Sequence, residues 1–317
     1  MKLNLDATDI KILRAMMNDS RMPITKLAKA ARASREVVTY RIKRLEKKGI
    51  IKDYVTEIDT EKLGYVGAAV FVALKAEREE EFRRYLESNK NICWVGEQFG
   101  IWDFGMSILG RTNQEVDYHF AEMYDKFKDM IIDHRLTMHK RNHYFYEKLF
   151  QTKVSMKEKK FIIFVADDND RKILKELALN SREDYVELVK KVPLSAQAIK
   201  NRIRRLEQCG YIKRYSLFLD FSKLGVYQYS IFITNKNLDQ RKKLVAYLSN
   251  HPEVCFICEY IGDQFLEFGI FVDNPYELRK KIQVIEEAFP DNRIIEVSLQ
   301  KELVSTAPAR IVFEKIS

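Results

Sequence analysis

The sequence lacks any apolar run long enough to cross a bilayer. The longest one, Tyr65 to Leu74, is far shorter than the roughly 20 residues that a transmembrane helix needs. The first six residues carry no apolar signal core, so we find no export segment and expect a cytoplasmic protein. The 317 residues are enough for two or more domains with buried cores.

Cysteine is also scarce, which excludes a disulfide framework. Four cysteines are too few for one in a chain of 317 residues. Cys255 and Cys258 form a CxxC within an apolar run that predicts a strand, where an odd spacing sends the two side chains to opposite faces. No second CxxC or histidine pair completes a tetrahedral zinc site. We therefore expect two packed thiols, with no metal and no cofactor.

The charge is moderately one-sided. The formal net charge of +9 attracts polyanions, nucleic acid first. A basic protein without a polyanionic ligand has the same composition, so the order of the residues has to decide.

The order reveals a duplication. When the sequence is shifted by 161 positions, 23 of the 59 residues from 6 to 64 are identical without a gap. The longest shared block aligns Arg41 to Glu46 with Arg202 to Glu207, and Ser20-Arg21 falls on Ser181-Arg182. Identity at this level over one register indicates two copies of one module.

Each copy continues with a pattern of strands and helices in the order βαββαβ, which is typical of a ferredoxin-like domain. In the first copy the predicted elements are 68–74, 77–88, 92–99, 102–109, 113–127 and 131–138. In the second they are 228–234, 238–250, 254–261, 265–272, 275–288 and 293–299. Helices cover only one face of such a sheet, so the other face needs a partner. A duplicated chain could supply both sheets itself.

The sequence therefore predicts an α+β protein with two winged/helix-turn-helix domains, each followed by a ferredoxin-like βαββαβ domain. The predicted units are 1–60 and 61–150, a polar, lysine-rich linker at 151–164, then 165–222 and 223–317. His139 to Phe150 either continues the last strand of the first copy or packs as an arm, and both alternatives stay open.

A helix-turn-helix is predicted at the start of each copy. Asp6 precedes a first helix as a plausible N-cap, and a short second helix spans Ile24 to Ala31. Ser34 can cap a third helix that reaches Lys48, and Gly49 ends it. Two short helices joined by a tight turn are the geometry in which the latter enters the major groove of DNA.

The third helix has a buried and an exposed face. At 100° per residue, Val38, Ile42 and Leu45 cluster on the buried face, as do Ile199, Ile203 and Leu206 in the second copy. The predicted DNA-binding residues are Ser34, Arg35, Glu36, Thr39, Tyr40, Arg41, Lys43, Arg44 and Lys47, with Ser195, Gln197, Lys200, Asn201, Arg202, Arg204 and Arg205.

These side chains suit base edges. Asn and Gln can bind adenine bidentately, and Arg can bind guanine. Arg41 and Arg202 lie beside the buried arc, so a phosphate contact or an internal ion pair suits them better. Any exposed helix carries polar residues, but the Ser cap, the apolar spacing and the basic bias occur in both copies.

The pattern of Asp6, Asp9, Ile12-Leu13, Ser34, Val38, Arg41-Ile42, Arg44-Leu45-Glu46, Gly49, Ile51 and Leu63-Gly64 resembles the leucine-responsive regulator/AsnC family. So does its equivalent from Asp167 to Gly225, and with the βαββαβ domains the resemblance covers nearly the whole chain. It implies transcription regulators that dimerise through their sheets, often assemble further and bind small effectors, commonly amino acids. Most members carry one module per chain.

The resemblance also implies an effector region at a Gly-x-x-Asp turn, which Gly100, Trp102 and Asp103 fit. Asp103 is either a turn-stabilising carboxylate or a ligand for an ammonium group. The second copy departs from the pattern, because Gly262 to Glu267 reads as having two extra residues with an acid only roughly in place.

We therefore predict a sequence-specific regulator of double-stranded DNA, not an enzyme, that forms homo-oligomers through its ferredoxin-like sheets and does not act at a membrane. Siroheme decarboxylases resemble the same family and can be fused pairs, but they use histidine and arginine to handle tetrapyrrole carboxylates. None of the five histidines here falls in the strand turn of that family's motif: His119, His134, His139, His143 and His251. A DNA-independent interaction protein is the other alternative.

Overall fold

A computed structural model of the chain describes residues 5–151, 164–235, 237–261, 265–304 and 312–313. Of the predicted linker at 151–164, residues 152–163 lie outside the described residues. None of the helices in the described ranges has both the length and the apolar character needed to cross a membrane.

The first copy starts with three helices and a strand and continues as the predicted βαββαβ unit. Its elements are α1 (Ala7–Asn18), α2 (Ile24–Ala31), α3 (Arg35–Lys47), β1 (Ile51–Ile58), β2 (Val66–Leu74), α4 (Glu79–Ser88), β3 (Ile92–Phe99), β4 (Phe104–Gly110), α5 (Asn113–Phe127) and β5 (Ile131–Tyr144). The ferredoxin-like order is confirmed.

The second copy repeats this order. Its elements are α6 (Asp168–Leu179), α7 (Tyr185–Lys191), α8 (Ala196–Gln208), β6 (Ile212–Leu219), β7 (Tyr227–Asn235), α9 (Leu238–Asn250), β8 (Val254–Ile261), β9 (Phe265–Val272), α10 (Pro275–Ala288) and β10 (Asn292–Val304). The predicted duplication thus extends to every helix and strand of the module.

The two ferredoxin-like sheets join into one closed sheet of eight strands, in the order β10-β3-β4-β2-β5-β8-β9-β7. The last strand of each copy joins the two sheets, and each of these strands is longer than the sequence predicts. β5 pairs with β2 and then runs on to pair Met138 to Tyr144 with β8 of the other copy. β10 does the same with β7 and β3. The segment from His139 therefore continues the strand as far as Tyr144, which resolves one of the alternatives left open.

Two layers of core result from this arrangement. On the helix-covered face of the first sheet, Phe82 of α4 and Phe127 of α5 pack edge to face at 4.9 Å between ring centroids. Between the two sheets, Phe71 and its repeat equivalent Phe232 pack edge to face at 5.1 Å. The sheet faces that we expected to pair do so within one chain, so a homo-oligomer has to form through another surface.

The CxxC prediction is partly wrong. Cys255 and Cys258 are both buried free thiols, as expected. However, a register shift between Val254 and Phe256 interrupts the alternation of the strand. Both sulfurs consequently belong to the same hydrophobic cluster instead of facing opposite ways. No cluster of His, Cys, Asp or Glu that could hold a metal occurs within the described ranges.

Candidate nucleic-acid interface

The third helix of the first copy begins and ends where the sequence predicts. The Ser34 hydroxyl accepts a hydrogen bond from the Val37 amide (3.3 Å), which satisfies one of the free donors at the start of α3. Gly49 ends the helix at φ 65°, a left-handed conformation that glycine adopts without strain. Val38, Ile42 and Leu45 are at most 6% exposed. Burial of three such side chains contributes roughly 1.5–3 kcal/mol each and fixes which face of the helix points outward.

The third helix of the second copy has the same kind of N-cap and the same terminating glycine. The Ser195 hydroxyl accepts from the Ala198 amide (3.3 Å), and Gly210 follows the helix at φ 77°. Ile199, Ile203 and Leu206 form the buried face of α8. Both third helices therefore turn the predicted polar face outward.

Most of the predicted DNA-binding side chains are exposed in the chain. The exposed ones are Ser34, Arg35, Glu36, Thr39, Tyr40, Lys43 and Lys47 in the first copy, and Ser195, Gln197, Asn201, Arg204 and Arg205 in the second. Tyr40 is 66% exposed, so its ring and hydroxyl are accessible on the outward face of the helix. Lys200 is partly buried, and Gln197 donates to the Asn201 carbonyl oxygen along the helix (3.0 Å).

Arg41 and Arg44 tie α3 to the first helix. Arg41 forms ion pairs with Asp6 and, at 3.0 Å, with Asp9, and Arg44 reaches Asp9 at 2.5 Å. The hydrogen bond from Arg41 lowers the pKa of Asp6 to about 2. The Asp9 side chain is only 3% exposed, so its charge depends on these two guanidinium groups for compensation.

Arg202 and Arg205 repeat the arrangement on α8. Arg202 contacts Asp167 at 2.7 Å and Asp170 at 2.9 Å, and Arg205 contacts Asp170 at 3.0 Å. Burial acts to raise the pKa of Asp167, but the Arg202 hydrogen bond and the capped backbone outweigh it and the pKa is lowered. The four arginines thus hold the third helices in place, which was expected for Arg41 and Arg202 but not for Arg44 and Arg205.

The two helix-turn-helix units are joined by a two-stranded sheet that the sequence analysis did not predict. β1 and β6 pair antiparallel, and Val55 lies opposite Ser216, its own equivalent in the repeat. The pairing is therefore symmetric about this position, so the two copies are related by an approximate two-fold axis. The first helix of each copy packs on the other copy's strand: Thr56 donates to the Leu177 carbonyl oxygen (2.5 Å) and Ser216 to that of Met17 (3.0 Å).

Two Ser-Arg pairs hold the units together on this axis. The Ser20 and Ser181 hydroxyls, equivalent in the repeat, hydrogen-bond each other at 2.7 Å with both residues 0% exposed. Arg21 donates to the carbonyl oxygens of Ser181 (2.6 Å) and Glu183, and Arg182 donates to that of Ser20 (3.1 Å). Sequence reasoning missed this contact, although an identical Ser-Arg pair in two loops of the repeat was a usable signal.

The predicted effector residues lie where the two copies meet. Asp103 accepts a hydrogen bond from the Leu74 amide (2.7 Å), so its carboxylate stabilises the turn. Trp102 is 3% exposed and donates through Nε1 to Glu296 of the second copy (2.8 Å). The Arg135 guanidinium lies 5.3 Å from the Trp102 ring. A Cβ on Gly100 would meet the Ser298 hydroxyl at 2.9 Å, which shows how closely this turn packs on β10.

Arg135 and Glu296 occupy equivalent positions in the repeat, opposite Phe71 and Phe232 respectively. Both meet Trp102: the Arg135 guanidinium lies against its ring and Glu296 accepts from its Nε1. Burial raises the pKa of Glu296 to about 7, and the nearby Arg135 acts to lower it. Two identical subunits would place two arginines or two glutamates here, whereas two different copies place a cation beside a carboxyl group. The two copies have therefore diverged so that their side chains are complementary at this position.

The reading of the second turn is corrected by the strand register. Val72 lies opposite Phe104 in the first copy, and its equivalent Ile233 lies opposite Leu266 in the second. Phe104 follows the end of β3 at Phe99 by as many positions as Leu266 follows the end of β8 at Ile261, so the sequence has no extra residues before this register point. Glu267 is therefore not a displaced equivalent of Asp103, but occupies the position of Gly105 and faces the space between the sheets. Residues 262–264 lie outside the described residues.

Comparisons with known proteins match both helix-turn-helix units of the chain. The model of the winged helix-turn-helix DNA-binding family matches residues 5–52 and 167–213. The HTH-type transcriptional regulator FL11 of Pyrococcus horikoshii is 30% identical over 118 residues, which cover 37% of this chain and 78% of that protein. An uncharacterized HTH-type transcriptional regulator of Pyrococcus furiosus is 39% identical over 123 residues, which cover 37% of this chain and 79% of that protein. LrpC of Bacillus subtilis is 35% identical over 91 residues, 28% of this chain and 63% of LrpC.

One solved structure matches the whole double module. The siroheme decarboxylase NirDL aligns over 97% of each chain with a TM-score of 0.62, at 13% sequence identity. A likeness at this identity shows the shared fold alone. The sequence relatives, each matching about one module, and the two family-model matches decide the family. The chain belongs to the leucine-responsive regulator/AsnC family of winged helix-turn-helix transcription regulators, in a form that carries two modules in tandem.

Proposed function

We propose that the chain is a transcription regulator that binds double-stranded DNA sequence-specifically, with α3 and α8 in the major groove. One observation carries the proposal: two outward-facing third helices, each with its polar face free of the protein core, are locked about an approximate two-fold axis within one chain. Because the two DNA strands are antiparallel, two half-sites on a duplex are also related by an approximate two-fold axis.

The residues divide into two proposed roles. Side chains on the outward face read base edges; these are Thr39, Tyr40, Lys43, Lys200, Asn201 and Arg204. Residues at the helix starts, together with Lys47, contact the DNA backbone and set the position of the protein on it; these are Ser34, Arg35, Glu36, Ser195 and Gln197. Arg41, Arg44, Arg202 and Arg205 keep their ion pairs to the first helix and act as positioning residues, with phosphate contact through their exposed edges.

The operator is proposed to be asymmetric. Thr39 and Tyr40 of α3 correspond to Lys200 and Asn201 of α8, so the two half-sites present different bases to the protein. For two reading helices on one face of the duplex, the half-sites lie about 34 Å apart, one helical turn.

Arg204 tests the base-reading role most simply, since no ion pair holds it among the described residues. Arg204→Ala should weaken binding to a selected cognate duplex by about 1–3 kcal/mol in fluorescence anisotropy, with little effect on a scrambled duplex. Equal loss on both duplexes would assign Arg204 to a phosphate, and no loss on either would remove α8 from the interface. Glu87→Gln, an exposed change on α4, is the control.

A siroheme-decarboxylase-like enzyme is the second candidate, favoured by the alignment with NirDL over both modules. Tetrapyrrole carboxylates need cationic partners, however, and the cavity between the sheets contains the acids Glu267 and Glu302 but no arginine or lysine among the described residues that line it. We therefore propose a non-enzymatic regulator. A tetrapyrrole absorbance band retained by the purified chain after gel filtration would contradict this.

Further properties follow from the regulator role as proposals. Such a protein works beside the chromosome, in the cytoplasm of a prokaryotic cell, and assembles with further copies through surfaces other than the inner sheet faces. An amino-acid effector at Gly100, Trp102 and Asp103 stays a prediction. A DNA-independent interaction protein would show a shallow salt dependence of DNA binding, because few phosphates would be neutralised.

A further inference from the structure

A cavity lies between the two ferredoxin-like sheets, apart from the DNA-facing helices and from the Trp102 turn. Its empty space is about 330 Å³, including the part that opens to solvent. Both copies contribute to its wall, which is rich in aromatic rings: Trp94, Tyr144, Tyr146, Phe256 and Tyr260. The cavity exists only because the two sheets face each other.

Two carboxyl groups in this wall form no ion pair within the part of the chain that the structure describes. Glu267 is 3% exposed and accepts hydrogen bonds from the hydroxyls of Ser230 and Tyr260, the latter at 2.5 Å. Glu302 accepts from the Tyr146 hydroxyl and from the Gln228 amide (3.4 Å). All of these donors are neutral. Lys52, which acts on Glu302 through space, donates to the Leu303 carbonyl oxygen instead (3.4 Å).

The remaining titratable groups of the wall do not supply a positive charge. His139 donates to or accepts from Ser107 (3.2 Å), and burial lowers its pKa to about 4, so it is neutral at pH 7. Burial also raises the pKa of Glu267 to about 7 and raises that of Glu302. A cation bound beside these carboxyl groups would lower their pKa values and favour the release of protons.

A polar side chain in the wall points to a missing ligand. Gln300 is 4% exposed and lines the cavity, yet neither its amide nitrogen nor its carbonyl oxygen has a hydrogen-bond partner among the described residues. Buried amides normally have partners because an unmet donor or acceptor costs stability. A ligand with N–H groups would satisfy the carbonyl oxygen of Gln300.

We propose that the cavity between the sheets is a binding site for a small organic cation, of which a short aliphatic diamine is the simplest example. Its ammonium groups would form charge-assisted hydrogen bonds with Glu267 and Glu302, and the ring faces around them would add cation–π attraction. The same acids repel carboxylate and phosphate ligands. The site therefore selects against anionic metabolites.

The cavity adjoins the sheet that carries the helix-turn-helix units. A second cavity, with an empty space of about 410 Å³, shares Tyr144, Tyr146 and Glu302 with the first and is closed on its other side by residues of β1 and β6. A cation on Glu302 would therefore act on side chains that also support the β1–β6 pair. We infer that its binding changes the affinity for DNA, and this second step rests on the proposed function.

Calorimetry with putrescine tests the site without DNA. The wild-type chain should bind putrescine saturably and release protons, seen as a heat that depends on the ionisation enthalpy of the buffer. 1,4-Butanediol, which has the same length without the charge, should give no binding heat. Glu267→Gln and Glu302→Gln should each weaken putrescine binding at least tenfold, whereas the exposed change Glu87→Gln should leave it unchanged.

Several results would overturn the proposal. These are a titration of the wild type with putrescine that gives no saturable heat, binding without proton release, and binding to the two cavity variants as tight as to the wild type. If the variants fail to fold, the comparison of putrescine with butanediol on the wild type decides alone. For the second step, putrescine should change the anisotropy-measured DNA affinity of the wild type but not of Glu302→Gln at the same putrescine concentration. An equal change in both would refute the coupling, and loss of DNA binding itself would refute the regulator function while leaving the cation site standing.

Discussion

The buried carboxylate of Asp170 should control the local stability of the second helix-turn-helix unit. Its side chain is 0% exposed and accepts from Arg202 at 2.9 Å and from Arg205 at 3.0 Å. Its second oxygen also accepts from the Asp167 amide (3.2 Å), which closes the capping box at the start of α6. Asp170→Asn keeps the shape but replaces one acceptor oxygen with a donor that faces these N–H groups.

The expected cost is about 2 kcal/mol. A hydrogen bond to a charged group contributes about 1.5–3 kcal/mol, and one such bond is lost. The Arg205 side chain is 43% exposed, so solvent screens its interaction with Asp170. The free-energy cost of the substitution therefore stays below the sum of the two arginine interactions. Since the chain has several domains, a global unfolding free energy is not well defined for it.

Native-state hydrogen exchange measures the local effect. Amides of α6 and α8 in Asp170→Asn should exchange about thirty times faster, which corresponds to about 2 kcal/mol, while those of α1 and α3 stay unchanged. Asp168→Asn, an exposed change in the same turn of α6, should leave the rates as they are. A change below about 0.5 kcal/mol in Asp170→Asn would refute the claim that this carboxylate anchors α8.

Two further predictions concern the junction and the acid range. Ser20→Ala should lower the stability of the junction by about 1–3 kcal/mol because it leaves the buried Ser181 hydroxyl unpaired, and adding Ser181→Ala should recover part of the loss. Hydrogen exchange at the amides of Ser181 and its neighbours measures both effects. If the losses of the two single variants add up in the double variant, the contact is contradicted. Because Arg41 lowers the pKa of Asp6 to about 2, the contribution of ionised Asp6 is complete above its unfolded pKa near 3.8 and is lost as the pH falls through about 2. The difference in α1 stability between wild type and Asp6→Asn should therefore be present at pH 5, be mostly lost by pH 2 and be absent about one pH unit lower. A difference that persists there would show that the ion pair is not its source.

Local signals in the sequence were sufficient for the modules. The caps at Ser34 and Ser195, the glycines at 49 and 210 and the apolar spacing of Val38, Ile42 and Leu45 all act within one or two helical turns, and the structure confirms each of them. Apolar runs between charged helices likewise located the strands of both ferredoxin-like sheets.

Contacts between the two copies could not be predicted from these local signals. β1 pairs with a strand about 160 residues away, and nothing local to Ile51–Ile58 names its partner. β5 and β10 extend past their apolar segments because a strand of the other copy receives them, so polar residues such as Asn142 continue the ladder. The bulge at Val254 to Phe256 reversed the predicted placement of Cys255, since one extra residue shifts every later side chain by one face.

Divergence between the copies was visible in the sequence but its consequence was not. Arg135 and Glu296 align in the repeat, yet only the closed sheet shows that they meet at Trp102. The sequence favours Glu267 as a displaced turn acid, whereas the register places it between the sheets, in the cavity wall. Burial of this kind depends on tertiary packing, which a single-strand pattern does not encode.

The most direct test of the paired-helix account is hydroxyl-radical and methylation footprinting on DNA fragments selected from a random pool by the full chain. The account predicts two protected major-groove segments on one face of the duplex, about 34 Å apart and different in sequence, with one segment altered by Arg204→Ala and the other by Lys43→Ala. A single protected segment, or a perfect palindrome that both variants weaken at the same bases, would contradict it.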